Sequence, residues 1–565
     1  MFSKYLNLWI LLEFVSIGPV ADLLPIPSFE PDLAQVAYLR RSLALLQSSS
    51  PSNRPDFRIL IYGQSFSMGA WTEILVADCQ ARYPNVNFVV TNKAVGGFSA
   101  GPLSYAANAD VGPWQPDLVL LNCLGDHLYD YEGLYNVIKT TCTADVIVHS
   151  DHPTSDSQVN ESLDISEVTP DTIWVLRNYH WLPEMANRYG FCWADLRTPW
   201  KSYLISNQLP FNNLLGPDNS HFNDDGHQLQ AKLLSTFFAP RTFVPPSDPW
   251  NYSRIQTRPI GSDIRWSGDS LDLTIHGNRV DVIYESQPPP DSPAYGYTLD
   301  DREPSKVKEL FDFDKSSSPW AISGVLFDRW PSIWPGVMDI ASQALLQEET
   351  WTLKTEKIDY STGEVLYNIT GSSTGFDGSG SSLRPFVSNS MRVTIERGMV
   401  IIWFAYSLTQ QKPPDDWEIH FDSVRRSVDT FKPVPSPSPA VESVQTLFLS
   451  SSDSAHNLKI RSLSGAPKGI RAIRVYSPSG AASVSDNTPP TVVGPTLTIK
   501  RLGSSLTISW PKEWGRGTVE STSALQALRK WTVIGDPITQ SGVRFQITKP
   551  AADSVGFYRW RKTTN

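Results

Sequence analysis

Four short apolar runs in the first third of the chain constrain its fold more than any other feature. They are Phe57-Arg58-Ile59-Leu60-Ile61-Tyr62, Asn87-Phe88-Val89-Val90-Thr91-Asn92, Asp117-Leu118-Val119-Leu120-Leu121-Asn122 and Asp145-Val146-Ile147-Val148-His149. Each is nearly continuous in Val, Ile, Leu and Phe, with no polar alternation. A strand of that kind must be covered on both faces. Stretches compatible with helices, such as 70–82 and 131–142, lie between the runs. Strands separated by helices run parallel, and right-handed crossovers place helices on both sides of the sheet. Residues 22–240 are therefore expected to form a doubly wound, three-layer α/β/α domain.

The rhythm changes after Pro240. Leu271–Ile275 and Arg279–Ile283 alternate with period two around His276-Gly277-Asn278, which predicts a hairpin. Met391–Ile395 and Val400–Phe404 predict a second one across Arg397-Gly398. Residues 241–431 are read as an antiparallel β-sandwich or jelly roll. Lys432-Pro433-Val434-Pro435-Ser436-Pro437-Ser438-Pro439 then reads as an extended Pro/Ser linker over 432–443. Residues 444–565 follow as an all-β module that resembles immunoglobulin-like or fibronectin-like units, with Leu506–Trp510 and Phe557–Arg561 as strands. A total of 565 residues suits three or four such units.

Residues 1–21 read as a signal peptide: Lys4, an apolar run from Tyr5 to Ala21, and Pro19-Val20-Ala21 as a cleavage site. Glu13 interrupts that run, and an N-terminal core segment is the competing reading. No later stretch is long and apolar enough for a bilayer span. The expectation is a secreted, periplasmic or cell-surface protein with no integral membrane segment after cleavage. The net charge is −10 and no basic block occurs, which disfavours a nucleic-acid partner. Four cysteines, Cys79, Cys123, Cys142 and Cys192, are too few for a disulfide scaffold but leave room for one bridge.

Three segments carry chemistry. Gly63-Gln64-Ser65 follows the first strand and precedes a helical run. That puts Ser65 at the C-terminal edge of a parallel sheet, where α/β folds hold their ligands. Backbone N–H groups at a helix start can stabilise an oxyanion there, while a plain N-cap serine is the simpler use of the residue. Asn92-Lys93-Ala94-Val95-Gly96-Gly97 follows the second strand, with glycines that let the backbone approach a ligand. Asp218-Asn219-Ser220-His221 lets one loop present an imidazole together with a carboxylate that orients it. Combined with Ser65 this is nucleophile, base and orienter logic.

In order and spacing these blocks resemble the SGNH (GDSL-like) hydrolase superfamily over residues 55–240. The resemblance implies Ser65 as nucleophile, His221 as base, Asp218 as its orienter, and the backbone N–H groups of Ser65 and Gly97 as oxyanion donors. The family's Gly-x-Asn-Asp block falls on Leu124-Gly125-Asp126-His127, so Asp126 stands where an Asn donor belongs. A carboxylate cannot donate unless protonated. Asn122, His127 or a backbone N–H would otherwise take that part. His127 and His149 are expected to contact substrate.

The function expected is a secreted serine esterase acting on ester groups, above all O-acetyl groups, of a polysaccharide or another acylated small molecule. The basis is the export-type N-terminal segment, the appended β units and 19 Trp. No cofactor or metal is expected. A lipid or aryl esterase of the same superfamily is one alternative, and a carbohydrate-binding or surface protein with a dead hydrolase domain is another. His149-Ser150-Asp151-His152 with Asp126-His127 would be the ligands of a metallohydrolase. Trp266, Trp320, Trp330, Trp334, Trp351, Trp403 and Trp417 could stack on sugar rings, but core packing is the commoner use.

Overall fold

The structure is a computed structural model. It describes residues 23–565 except 126–127, 164–171, 242–248, 251–253, 316–345, 396, 398–417, 481–496, 503, 512–516, 523–531, 542–543, 551–556 and 563–565. The signal-peptide segment, Asp126 and His127 thus lie outside the described residues, as do the second strand of the 391–404 hairpin and Trp320, Trp330, Trp334, Trp403 and Trp417.

Five parallel strands form the first sheet: β1 (Asp56–Gly63), β2 (Asn87–Asn92), β3 (Leu118–Asn122), β4 (Asp145–His149) and β5 (Cys192–Ala194). Their order is β2-β1-β3-β4-β5. Leu60, Tyr62, Val119, Leu121, Val146 and Val148 share one buried cluster with helices Ala100–Val111, Leu128–Thr141 and Leu182–Tyr189. Phe57, Ile59, Ile61, Leu118, Leu120 and Ile147 share the other with helices Arg40–Gln47, Trp71–Arg82, Arg197–Ser206 and Asp224–Ser235. Both faces of β1, β3 and β4 are buried, which is why those runs show no alternation. The expected two-faced cover fails for β2, which lies at the sheet edge and is only partly buried, with Val90 39% exposed. The strand order reverses between β1 and β3, so a crevice opens beyond their C-terminal ends.

The chain then enters antiparallel structure: β6 (Ile255–Pro259), β7 (Ser270–Tyr284) and β8 (Tyr295–Leu299). Here the expected hairpin is corrected. His276-Gly277-Asn278 is no turn, because β7 runs unbroken through it. A Cβ on Gly277 would stand 2.3 Å from the Tyr476 carbonyl oxygen. The glycine admits a neighbouring strand rather than reversing the chain.

A second sheet is inserted at this point. It comprises β9 (Phe311–Lys315), β10 (Glu349–Asp359), β11 (Glu364–Gly371), β12 (Gly375–Ser381) and, after the small pair β13 (Phe386–Val387) and β14 (Thr394–Ile395), β15 (Glu418–Arg425). Its order is β12-β11-β10-β15-β9. The chain returns with β16 (Thr430–Phe431), β17 (Val444–Ser462) and β18 (Ile470–Tyr476), giving a six-stranded sheet β16-β8-β17-β7-β18-β6. The strands after the Pro/Ser segment therefore pair with those before it. This corrects the boundaries expected at 432–443 and 444. The Pro/Ser stretch is an internal connection, with buried Ser436 donating its N–H to the Ser286 carbonyl at 3.1 Å. The Ala440 carbonyl accepts from Arg54 N–H in the α/β domain at 2.8 Å.

The remaining strands, β19 (Thr498–Leu502), β20 (Ser505–Pro511), β21 (Gly517–Thr522), β22 (Thr532–Val533), β23 (Thr539–Ser541), β24 (Arg544–Pro550) and β25 (Phe557–Lys562), form two small sheets, β19-β20-β24-β23 and β22-β21-β25. Ile508, Trp510, Val519 and Ile547 are their buried core. All four cysteines are buried and free, so the bridge that their number allowed is not made. Trp351 is buried, and half-buried Trp266 packs against the core beside Tyr295. No described helix is long and apolar enough to cross a membrane.

Candidate active site

β1 ends at Gly63, whose φ of +137° and position leave no room for a side chain: a Cβ would lie 1.7 Å from the Asn122 carbonyl oxygen. The same carbonyl accepts the Gln64 N–H at 2.9 Å. The chain turns here into a short 3-10 helix, Ser65–Met68, with Ser65 at its first position and partly buried.

The loop after β2 stays pinned to β1, with Lys93 N–H donating to the Ile61 carbonyl and Val95 N–H to that of Gly63. The Asn92 side chain shapes it, donating to the Ser67 carbonyl at 2.8 Å and accepting from Ala94 N–H at 2.9 Å. A Cβ on Gly96 would lie 3.8 Å from that of Ser65, so the loop runs beside the serine. Gly97 follows in the left-handed region, φ +77°.

Asp218 and His221 come from a loop closed on itself. Gly216 N–H donates to the His221 carbonyl at 2.7 Å, and Leu215 bridges Phe222. Asn223 caps the next helix by accepting from Gly226 N–H at 3.0 Å and also ties back to the Asn213 and Leu215 carbonyls. Asp218 Oδ1 accepts from the N–H groups of Ser220 and His221, each at 3.0 Å.

These segments converge. His221 Nε2 lies 2.9 Å from Ser65 Oγ, and His221 Nδ1 lies 2.5 Å from Asp218 Oδ2. The serine hydroxyl can hand its proton to Nε2 while Nδ1–H donates to the carboxylate. That hydrogen bond from His221, helped by the two backbone donors, holds the Asp218 carboxyl down at about 2. The side chains of His221 and Asp218 are 51% and 52% exposed, so the relay sits in an open crevice.

The other expected site residues fare differently. His149 does not reach the crevice: it is 2% exposed, edge-on to Trp71, with Nδ1 against the Ser150 carbonyl at 3.2 Å. Burial pushes its imidazole down to about 4. The expected substrate contact through His149 is withdrawn on that ground. Asn122 is also excluded as an oxyanion donor. Its amide nitrogen already donates inward to the His149 carbonyl at 3.0 Å and to Asp151 Oδ1 at 3.1 Å, while its oxygen accepts from Gln64 Nε2 at 3.1 Å.

Sequence reading missed the packing behind the relay. Phe66, His152, Trp200 and Phe222 form one ring cluster, with His152 at 4.5 Å from both phenylalanines and 5.5 Å from Trp200. The only signal was the proximity of aromatic residues to each block, which by itself indicates no contact across 156 residues of chain.

No family model and no curated protein matches the chain. Among solved structures it is similar to a two-domain esterase active on acetylated mannans, at 12% identity and a TM-score of 0.29, over 78% of this chain and 96% of that one. It is also similar to an acetylxylan esterase from Geobacillus stearothermophilus, at 17% identity and a TM-score of 0.27, over 33% of this chain and 97% of that one. A gut microbial diltiazem-metabolizing enzyme follows at 13% identity and a TM-score of 0.28, over 44% and 69%.

Proposed function

We propose that the chain is a serine-dependent carboxylic ester hydrolase that removes acetyl groups from hydroxyls of carbohydrate. The observation that carries the reading is the relay Ser65 Oγ to His221 Nε2 at 2.9 Å and His221 Nδ1 to Asp218 Oδ2 at 2.5 Å, at the C-terminal edge of a parallel sheet. In the first step Ser65 Oγ attacks the ester carbonyl and its proton passes to His221 Nε2. Asp218 holds Nδ1–H and stabilises the imidazolium that forms. Negative charge on the carbonyl oxygen meets the backbone N–H groups of Ser65 and Gly97. His221 returns its proton to the departing sugar hydroxyl. A water then gives a proton to His221 Nε2 and attacks the acyl-serine carbonyl; the acyl–Oγ bond breaks as His221 returns that proton to Ser65 Oγ, and acetate leaves.

Openness favours a bulky, hydrated substrate over an aliphatic chain, because both His221 and Asp218 stand half exposed rather than at the bottom of an apolar tunnel. The test is hydrolysis of p-nitrophenyl acetate by the protein and by Ser65→Ala, with and without EDTA. Turnover that is lost in the variant and indifferent to EDTA is expected. Turnover that survives Ser65→Ala overturns the mechanism. Release of acetate from an acetylated glycan, with little activity on long-chain esters, is the expected second result, and the reverse preference overturns the substrate assignment.

A further inference from the structure

His152 lies just past the end of β4, in a run whose other histidine, His149, faces the interior. Its ring is 4.5 Å from Phe66 and 4.5 Å from Phe222. Phe66 follows Ser65 directly and Phe222 follows His221 directly. One buried ring, 4% exposed, thus touches the chain neighbours of both halves of the relay. It also makes one directed bond. Its Nε2 is 2.7 Å from the carbonyl oxygen of Ser220, the residue between Asn219 and His221. A carbonyl only accepts, so Nε2 carries the proton. Burial pushes the ring down to about 3, so it stays neutral with that one N–H.

The rest of the relay loop shows why this bond matters. Ser220 N–H is already taken by Asp218 Oδ1. That bond is internal to the loop and cannot set the loop's distance from Ser65. Asn219 holds the left-handed region at φ +54°, and the loop surface is open to water. The Ser220 carbonyl is the point at which a buried side chain of another strand end grips the loop beside His221.

We propose that His152 is a positioning residue for the esterase relay: its N–H to the Ser220 carbonyl, with its ring wedged between Phe66 and Phe222, sets His221 within hydrogen-bonding reach of Ser65. The proposal rests on the esterase reading of the same site. His152 touches no reacting atom. It acts on distance, and displacing a general base by about 1 Å costs on the order of 100-fold in rate.

Two variants separate the bond from the packing. His152→Gln keeps an N–H donor near the Nε2 position. His152→Phe fills the ring space and has no donor. With p-nitrophenyl acetate, His152→Phe is expected to lower kcat on the order of 30- to 100-fold with KM within about twofold, whereas His152→Gln stays within about fivefold of the parent. A His152→Phe variant as active as the parent overturns the proposal. So does a His152→Gln variant as impaired as His152→Phe, since packing alone would then be at stake.

If the parent itself does not turn over, or turns over equally as Ser65→Ala, the esterase reading is what has failed. The positioning role is then read from crystal structures of the parent and both variants. The Ser65 Oγ to His221 Nε2 distance is expected to stay near 2.9 Å in the parent and in His152→Gln, and to open by about 1 Å in His152→Phe. An unchanged distance in His152→Phe, or a His152→Gln loop displaced as far as that of His152→Phe, overturns the proposal.

Discussion

The α/β domain and the six-stranded sheet use the chain in opposite ways. Every strand of the parallel sheet comes from one continuous stretch, Asp56 to Ala194. The six-stranded sheet is assembled from three separated pieces: β6 to β8, then β16, then β17 and β18, with the whole β9–β15 sheet inserted in between. Its central strand β7 has β17 on one side and β18 on the other, both from beyond the Pro/Ser segment. The parallel sheet is therefore built within one stretch of chain, whereas the β region closes only when a distant segment returns.

The largest test of that contrast is truncation. A chain ending at Phe431 deprives β7 of both neighbours and the shared core of Leu447, Phe448, Leu458, Ile460, Ile473 and Val475. It is expected to lose the cooperative β transition and aggregate, as read by circular-dichroism melting and soluble yield. A chain ending at Gly480 is expected to fold. A cooperative β melt from the shorter chain would show the two halves to be independent after all.

Ser65→Ala probes the other side. It is expected to lower kcat on the order of 10⁴-fold or more while leaving both thermal transitions in place. A drop in stability of either region would mean that the serine is a structural cap.

Acid should then separate the two regions. His149 and His152 are buried and held near 4 and 3, below the ordinary 6.5 of a free imidazole, because burial disfavours the charged ring. An unfolded chain takes up protons below pH 6.5 that these rings refuse when folded. Their stabilising effect is therefore complete above about 6.5 and lost as pH falls towards 4 and 3, on the order of 3 kcal/mol per ring when fully developed. Denaturant midpoints measured from pH 7 to pH 4 should fall for the α/β transition, and His149→Gln should flatten that slope. An unchanged slope in His149→Gln would assign the acid sensitivity elsewhere. Asp218, held at about 2, keeps its charge through this window.

The smallest effect concerns Gly277. Gly277→Ala puts a Cβ against the Tyr476 carbonyl and should destabilise the β region by about 1–3 kcal/mol without altering kcat. Gly63→Ala meets the Asn122 carbonyl at a positive φ and should cost both stability and turnover. If Gly277→Ala is neutral, β7 bends there, and the period-two reading of a turn regains force.

Much of the α/β domain was legible because its signal is local. Two-faced burial writes itself into consecutive residues, so the runs at 57–62, 117–122 and 145–149 lie on β1, β3 and β4, while the run at 87–92 lies on β2, an edge strand that is only partly buried. The segments that meet at Ser65, His221 and Asp218 were legible as spacing, since Gly63 before Ser65 and Asp218 before His221 are short-range patterns. His149 misled for a definite reason: a histidine at a strand end has the same letter whether it faces the crevice or, as here, Trp71.

By itself, the sequence determined the parallel sheet, the turn that carries Ser65 and the loop that pairs Asp218 with His221. Each is dictated by residues within a few positions of one another. Only the tertiary structure decided that β7 passes straight through Gly277, that β17 and β18 belong with β6 to β8, and that Asn122 spends its amide on the interior. It alone brought His152 between Phe66 and Phe222. These are pairings between residues far apart in the chain, and an alternating strand or a lone buried ring carries no mark of which distant partner will cover it.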